Sequence, residues 1–260
     1  MLTLATLNIL NDLDRWHERA PLIVRDLRAH QPDLVALQEV ALPRNNARWI
    51  ADQLGGYSVY LSPKTGRKRG VEALAILSRL PVASHETLPL VNQERTAQRV
   101  TIRNGVGSFT FVNAHLYWNP LDDKTRLKQV RRLLDWLPRD LPAIVCGDFN
   151  AEPHHASIRV MRERFASAHH AANGREPEYT CPTPLHRGPG AQNRLRRWLI
   201  RVGGLAFKRE VKAWRGTLDY VFVDPSLRVQ HCRVAFHKPS PHDRTLYPSD
   251  HVGLVAKVQV

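Results

Sequence analysis

Ile144-Val145-Cys146-Gly147-Asp148-Phe149-Asn150 is the stretch on which the reading of this chain turns. An apolar run that reads as a buried strand stops at a glycine, and two polar side chains follow two positions apart. The tip of a buried strand is where ligands meet a sheet, because that edge alone leaves the core. Asp148 offers a hard anionic oxygen and Asn150 a donor and an acceptor, so together they can hold a divalent cation or a phosphate. Gly-Asp after a strand is also an ordinary turn. The metal or phosphate reading gains weight because other strands in this chain end in the same way.

Working outward, residues 108–115 alternate so that Phe109, Phe111, Asn113 and His115 share one strand face. Asp122 and Asp123 cap a following helix whose Leu127, Val130, Leu133, Leu134 and Leu137 form a core stripe, ended by Pro138. Further upstream the pattern predicts a strand over residues 2–8 ending at Asn8, then a helix with Trp16, Ala20, Ile23, Val24 and Leu27 on one stripe. Leu34 to Leu37 reads as a central strand ending in Gln38-Glu39. Pro43 opens a short helix in this reading, and strands at 57–61 and 71–77 flank a basic, glycine-bearing loop over residues 64–70. Downstream, Pro153 starts a helix reaching Phe165. Residues 171–215 are irregular apart from an expected helix with Leu195, Trp198, Leu199 and Val202 opposite Arg194, Arg197 and Arg201. Strands at 218–223, 228–236 and 252–260 close the chain.

At 260 residues, with neither an internal repeat nor a credible linker, residues 1–260 are read as a single domain of packed sheets flanked by helices. No apolar run reaches the ~18 residues of a transmembrane helix. The N-terminus enters a strand pattern at once, so no export signal is read there. The three cysteines, odd in number and without paired spacing, fit a reducing compartment. A cytoplasmic location is therefore expected. The net charge of +14 points to an anionic partner, which could be nucleic acid, acidic lipid or a small phosphorylated substrate. No protein partner is predicted.

Six strand boundaries carry a polar tip: Asn8, Glu39, His115, Asp148 with Asn150, Asp219, and Asp250-His251. Each has a structural explanation by itself, as a turn cap or a satisfied core histidine. If they share one rim they make a pocket of carboxylates, amides and imidazoles. Carboxylate and amide oxygens without cysteine suit a hard cation, Mg²⁺ or Mn²⁺, while zinc would want more nitrogen or sulfur.

Leu7-Asn8, Gln38-Glu39, Asn113-Ala114-His115-Leu116, Gly147-Asp148-Phe149-Asn150, Leu218-Asp219-Tyr220 and Ser249-Asp250-His251 resemble, in this order, the motifs of the endonuclease/exonuclease/phosphatase superfamily. The resemblance runs from residue 7 to residue 251. It implies an α/β fold, a four-layer α-β-β-α sandwich of two face-to-face sheets flanked by helices, and metal-dependent cleavage of phosphate esters. It also implies roles. Glu39 is the principal metal ligand with Asn8 beside it, and Asp250 completes the metal shell or holds a second ion. Asp148, helped by Asn150, positions and deprotonates the attacking water. His251 polarises or protonates around the phosphate, oriented by Asp219, and His115 binds a phosphate oxygen. Which of Asp148 and His251 acts as base stays open at this point.

The stretch His115-Leu116-Tyr117-Trp118-Asn119-Pro120 with Arg126 and Gln129, together with 216–220 and 247–251, resembles the deadenylase and nocturnin-like branch, which acts on RNA 3′ ends or nucleotide phosphates. Gly253 departs from the proline often found after the Ser-Asp-His block, and 174–215 matches no family pattern. Asn113, Asn119, Lys64 and Arg67 are the expected substrate-binding residues, the last two from the basic loop. Trp118 or Tyr117 could stack on a base. The leading reading is a divalent-metal-dependent phosphoesterase, a nuclease cleaving phosphodiester bonds in nucleic acid. The alternatives are a phosphatase or phosphodiesterase for a small or lipid-linked phosphate, and a catalytically inactive polyanion-binding module.

Overall fold

The computed structural model describes residues 1–104, 107–185 and 214–260. Its elements run β1 (Leu2–Asn8), α1 (Trp16–His30), β2 (Leu34–Ala41), α2 (Asn46–Leu54), β3 (Ser58–Pro63), β4 (Glu72–Ser78), β5 (Val82–Pro89), β6 (Thr96–Asn104), β7 (Gly107–His115), α3 (Asp123–Trp136), β8 (Ala143–Asp148), α4 (Ala156–Arg164), β9 (Ala166–Ser167), α5 (Ala168–Asn173), β10 (Asp219–Val223), β11 (Arg228–Ala235) and β12 (Gly253–Gln259). In β1, Leu2 and Leu4 enter one apolar cluster and Ala5 and Leu7 another, because successive side chains leave opposite faces of a strand. A strand buried on both faces lies between two layers.

Among the described residues the strands form two six-stranded sheets, in the orders β11-β12-β1-β2-β4-β3 and β5-β6-β7-β8-β10-β9. Leu4, Ala36 and Ile76 of the first sheet meet Phe109, Phe111, Ile144 and Val221 of the second in the cluster between them. The outer face of the first sheet is covered by Trp16, Ile23 and Leu27 of α1 and Ile50 of α2. Val130 and Leu133 of α3 and Ile158 and Met161 of α4 cover the outer face of the second. These are the four layers the motifs imply.

Local chemistry explains most boundaries. Asp122 caps α3 by accepting from the Thr125 amide at 3.0 Å, satisfying a donor that the first helical turn leaves unpaired. Two helices start later than expected. The side chain of Asn45 caps α2, so Pro43 sits in the preceding turn. Similarly, α4 opens at Ala156, behind an extended His155, and Pro153 belongs to the approach. The short β9 and α5 carry no sequence signal of their own. The expected helix with Trp198 and the arginines around it lies outside the described residues. No helix among them is long and apolar enough to cross a membrane.

Candidate active site

Topology brings the polar tips together. β1 and β2 run parallel with Asn8 opposite Gln38, and β7 and β8 run parallel with His115 opposite Asp148. The C-terminal ends of both pairs therefore meet at one edge of the sandwich. β10 is antiparallel to β8 and starts there, with Asp219 opposite Asp148. His251 precedes β12, which pairs with β1. Side chains far apart in sequence thus share one rim because of strand direction.

Two backbone features aim them. The β2–β4 ladder is irregular between Leu37 and Val40, and Glu39 there has a φ of 59°. The bulge turns its carboxylate out of the sheet. Gly147 lies so close to β7 that a Cβ would stand 1.9 Å from the Ala114 carbonyl oxygen, so Asp148 can approach His115.

Asp148 is the centre. Its Oδ2 accepts from Asn8 Nδ2 at 3.0 Å and lies 3.4 Å from His115 Nε2 and 3.9 Å from His251 Nε2. Its Oδ1 accepts from the Asn150 amide at 2.9 Å. Asn8 Nδ2 also reaches Glu39 Oε1 at 3.3 Å, and the Asn11 amide donates to Glu39 Oε2 at 3.0 Å. Behind His251, Asp219 Oδ2 holds Nδ1 at 2.9 Å. The other oxygen of Asp219, Oδ1, is buried without a hydrogen-bond partner.

Electrostatics separates the roles. Burial, reinforced by the neighbouring charge of Asp219, raises the Asp148 carboxyl to about 7, although His251, Asn8 and the Asn150 amide pull the other way. For His251, burial opposes the charge, yet the Asp219 carboxylate and the contact with Cys181 outweigh it and raise its pKa. Burial, followed by the charges of Arg95, Lys64 and His251, pushes His115 well below the usual histidine range. The rim thus carries a carboxyl poised near neutrality between an imidazolium and a neutral imidazole.

The donor set fits a hard divalent cation. Oxygens of Glu39 and Asp148 converge on one amide nitrogen, and Asp148, Asp219 and His251 each bring an atom within 4.8 Å of the others. Because Asp219 keeps His251 protonated, that ring is a poor ligand. The Glu39 side of the cluster is therefore the better seat for a cation. Asn8 turns its nitrogen to the carboxylates, while its Oδ1 accepts from the Leu10 amide at 3.0 Å. In this arrangement it clamps two acids together instead of presenting an oxygen. Asp250, half-buried, sits beside His251 with Oδ1 accepting from Ser249 Oγ at 3.3 Å and its carbonyl from the Thr183 amide.

The expected substrate contacts fare differently. Asn113 is fully buried and bridges the sheets, donating to the Leu37 and Ala75 carbonyls and accepting from Gln38 Nε2 at 2.7 Å. Both its donor hydrogens are used and its oxygen accepts from Gln38, so it acts as a tie between the sheets. Lys64 is buried and paired with Glu72 at 2.6 Å. Its burial, then Arg95 nearby, lowers its pKa. Arg67 is exposed, and its amide is held by Glu94. Asn119 turns its own loop by accepting from the Leu121 amide. Trp118 stands 57% exposed beside it, which frees the ring for a ligand.

Three residues escaped the sequence reading. Glu72 gathers Lys64, Arg95 and Asn11. Arg95 Nη1 lies 2.7 Å from His115 Nδ1 and 2.9 Å from Nε2. Arg19, on α1, binds the carbonyls of Ile9, Leu10, Asp12 and Pro248. It pins the loop after Asn8 to the loop before His251. Glu72, an acid at the start of β4 and opposite Ala41 of β2, could have been found from strand ends. Arg19 could not, because its partners are backbone atoms.

A model of the Endonuclease/Exonuclease/phosphatase family matches residues 5–251. The 2′,5′-phosphodiesterase 12 of Bos taurus is 25% identical over 93% of the chain and 46% of its own length. Nocturnin of Homo sapiens is 26% identical over 93% of the chain and 58% of its own. The chain spans about half the length of these curated relatives. Among solved structures, D. rerio TDP2 complexed with single-strand DNA product superposes with a TM-score of 0.77 at 16% identity, covering 100% of this chain and 99% of that one. At that identity the likeness concerns the fold.

Proposed function

From the premise that the chain belongs to the endonuclease/exonuclease/phosphatase family, we propose that it is a catalytic domain hydrolysing phosphodiester bonds in nucleic acid with Mg²⁺ or Mn²⁺. The observation that carries this reading is the buried Asp148 carboxyl, held between Asn8 and two imidazoles with Asp219 behind one of them.

A general base works best with a pKa near the working pH. Asp148 has that value and takes the proton of the attacking water. His251, kept cationic by Asp219, stabilises charge developing on the phosphate or leaving oxygen and can donate its Nε2 proton. Neutral His115, positioned against Arg95, offers an N–H to a phosphate oxygen. Glu39 would hold the cation beside Asp148, and Asp250, next to His251 in the chain, would complete its shell. When bound, the cation supplies neutralisation of phosphate charge. The Bos taurus relative, a 2′,5′-phosphodiesterase by name, supports phosphodiester cleavage, and the charge of +14 supports a polyanionic substrate.

A panel of labelled RNA and DNA oligonucleotides and small phosphate monoesters, each with Mg²⁺, Mn²⁺ or chelator, tests this. Chain scission that stops with chelator is expected. Release of inorganic phosphate from the monoesters with every oligonucleotide left intact would replace the proposal by a phosphatase.

A further inference from the structure

An open groove of about 570 Å³ lies between α3 and the β5 edge. Lys128, Arg131 and Arg132 of α3 line it, with Leu88 and Val91 opposite, and Trp136 and Asp135 at its far end. All three cations are exposed. Arg132 donates to the Pro89 carbonyl at 2.8 Å, while Lys128 and Arg131 pair with no carboxylate among the described residues. Asp135 is the opposing charge. Cations left unpaired on a strongly basic chain favour a polyanion.

The groove is continuous with the candidate site through the 91–95 loop. Gln129 donates to the Val91 carbonyl and accepts from the Tyr117 amide at 2.8 Å, two residues after His115. Asn92 reaches Thr125 of α3, Glu94 holds the amides of Arg67 and Lys68, and Arg95 lies against His115. One loop thus reaches from the groove, at Val91, to the candidate site, at Arg95. From Lys128 to Trp136 the helix rises ~12 Å, the length of about three to four stacked nucleotides.

We propose that this groove binds the phosphate backbone of the single strand beyond the scissile bond, with Lys128 and Arg131 as the contacting cations. It rests on the nucleic-acid reading of the site above. Contact with phosphates alone makes this binding independent of sequence, and it favours long substrates over short ones.

The test uses the full chain with chelator, so that binding is read without turnover. Fluorescence anisotropy follows a labelled single-stranded 20-mer and a 4-mer across a salt series. The pair Lys128→Glu/Arg131→Glu should weaken the 20-mer at least tenfold at low salt and flatten the slope of log K against log salt by about 1.4, for two phosphate contacts on a single strand. The 4-mer should change less than twofold. A control pair, Arg228→Glu/Lys257→Glu, makes the same charge change toward the far end of β12 and should leave the 20-mer within twofold. Unchanged 20-mer binding by the α3 pair, or equal loss in the control pair, overturns the proposal. Circular dichroism checks the fold of each variant. Scission of the 20-mer by the unaltered protein with Mg²⁺ is scored separately. Groove-dependent binding without scission would sink the catalytic reading alone, and scission with groove-independent binding would sink the groove alone.

Discussion

At the scale of single residues the chemistry depends on Asp148 being buried and still able to ionise. Asp148→Asn should lower turnover by about 10²–10⁴, the usual worth of a general base, with the fold retained by circular dichroism. Near-normal turnover in a folded variant would remove Asp148 from the mechanism. The same substitution has a stability consequence. In the cation-free protein the folded carboxyl titrates at about 7 and the ordinary value is 3.8. Between those values the folded state keeps a proton that the unfolded state has lost, so stability falls as pH rises through the window. An amide cannot ionise, so chelated Asp148→Asn should be the more stable protein at about pH 8, by a few kcal/mol at most, and the gain should vanish by about pH 4. Urea melts at the two pH values decide it. The acid at this position was legible from Gly147-Asp148-Phe149-Asn150. Its raised pKa was not, since that comes from Asp219 across the ladder and from the walls around it.

Elements place these groups by small departures from regularity. The bulge in β2 exposes Glu39, and the contact of β7 with β8 admits no side chain at Gly147. With a φ of 143° and the Ala114 carbonyl oxygen 1.9 Å from any added Cβ, Gly147→Ala must separate the two strands that carry His115 and Asp148. A loss of more than ~3 kcal/mol is expected, in the range reserved for specific steric or packing failures. Thermal melting and soluble yield measure it, and a variant melting within a degree or two of the parent would show that the ladder yields. Strands and helices with strong periodicity, such as β7 and α3, could be read from sequence with nearly their observed limits. Pro43 and Pro153 misled because proline is compatible with a first helical turn as well as with the turn before it. β9 and α5 are too short to carry a period.

Across the whole molecule, two sheets bring two acids to one point, and the fold bears the cost of holding Glu39 and Asp148 on a single amide. A cation that binds the folded state alone must raise its stability, by about 2.7 kcal/mol at a hundredfold excess over Kd. Thermal midpoints should therefore climb with Mg²⁺ or Mn²⁺ and return with chelator, and Glu39→Gln should blunt the climb. A midpoint indifferent to either ion would mean that the acids do not bind it. The charge of +14 acts at the same scale: it brings polyanions to the surface, and the exposed cations along α3 are where the proposed groove would hold them.

The order of motifs along the chain determined the family, the layered architecture and the identity of the polar tips, because those depend on local period and on residue type. Tertiary structure decided which tips meet. Asn113 shares a motif with His115 yet is consumed by ties between the sheets. Glu72, Arg95 and Arg19 belong to no motif yet build the rim and its supports. Hydrogen bonding and desolvation depend on what stands opposite a side chain, and that is set by strand direction and register across residues 8 to 251, beyond the reach of any local pattern.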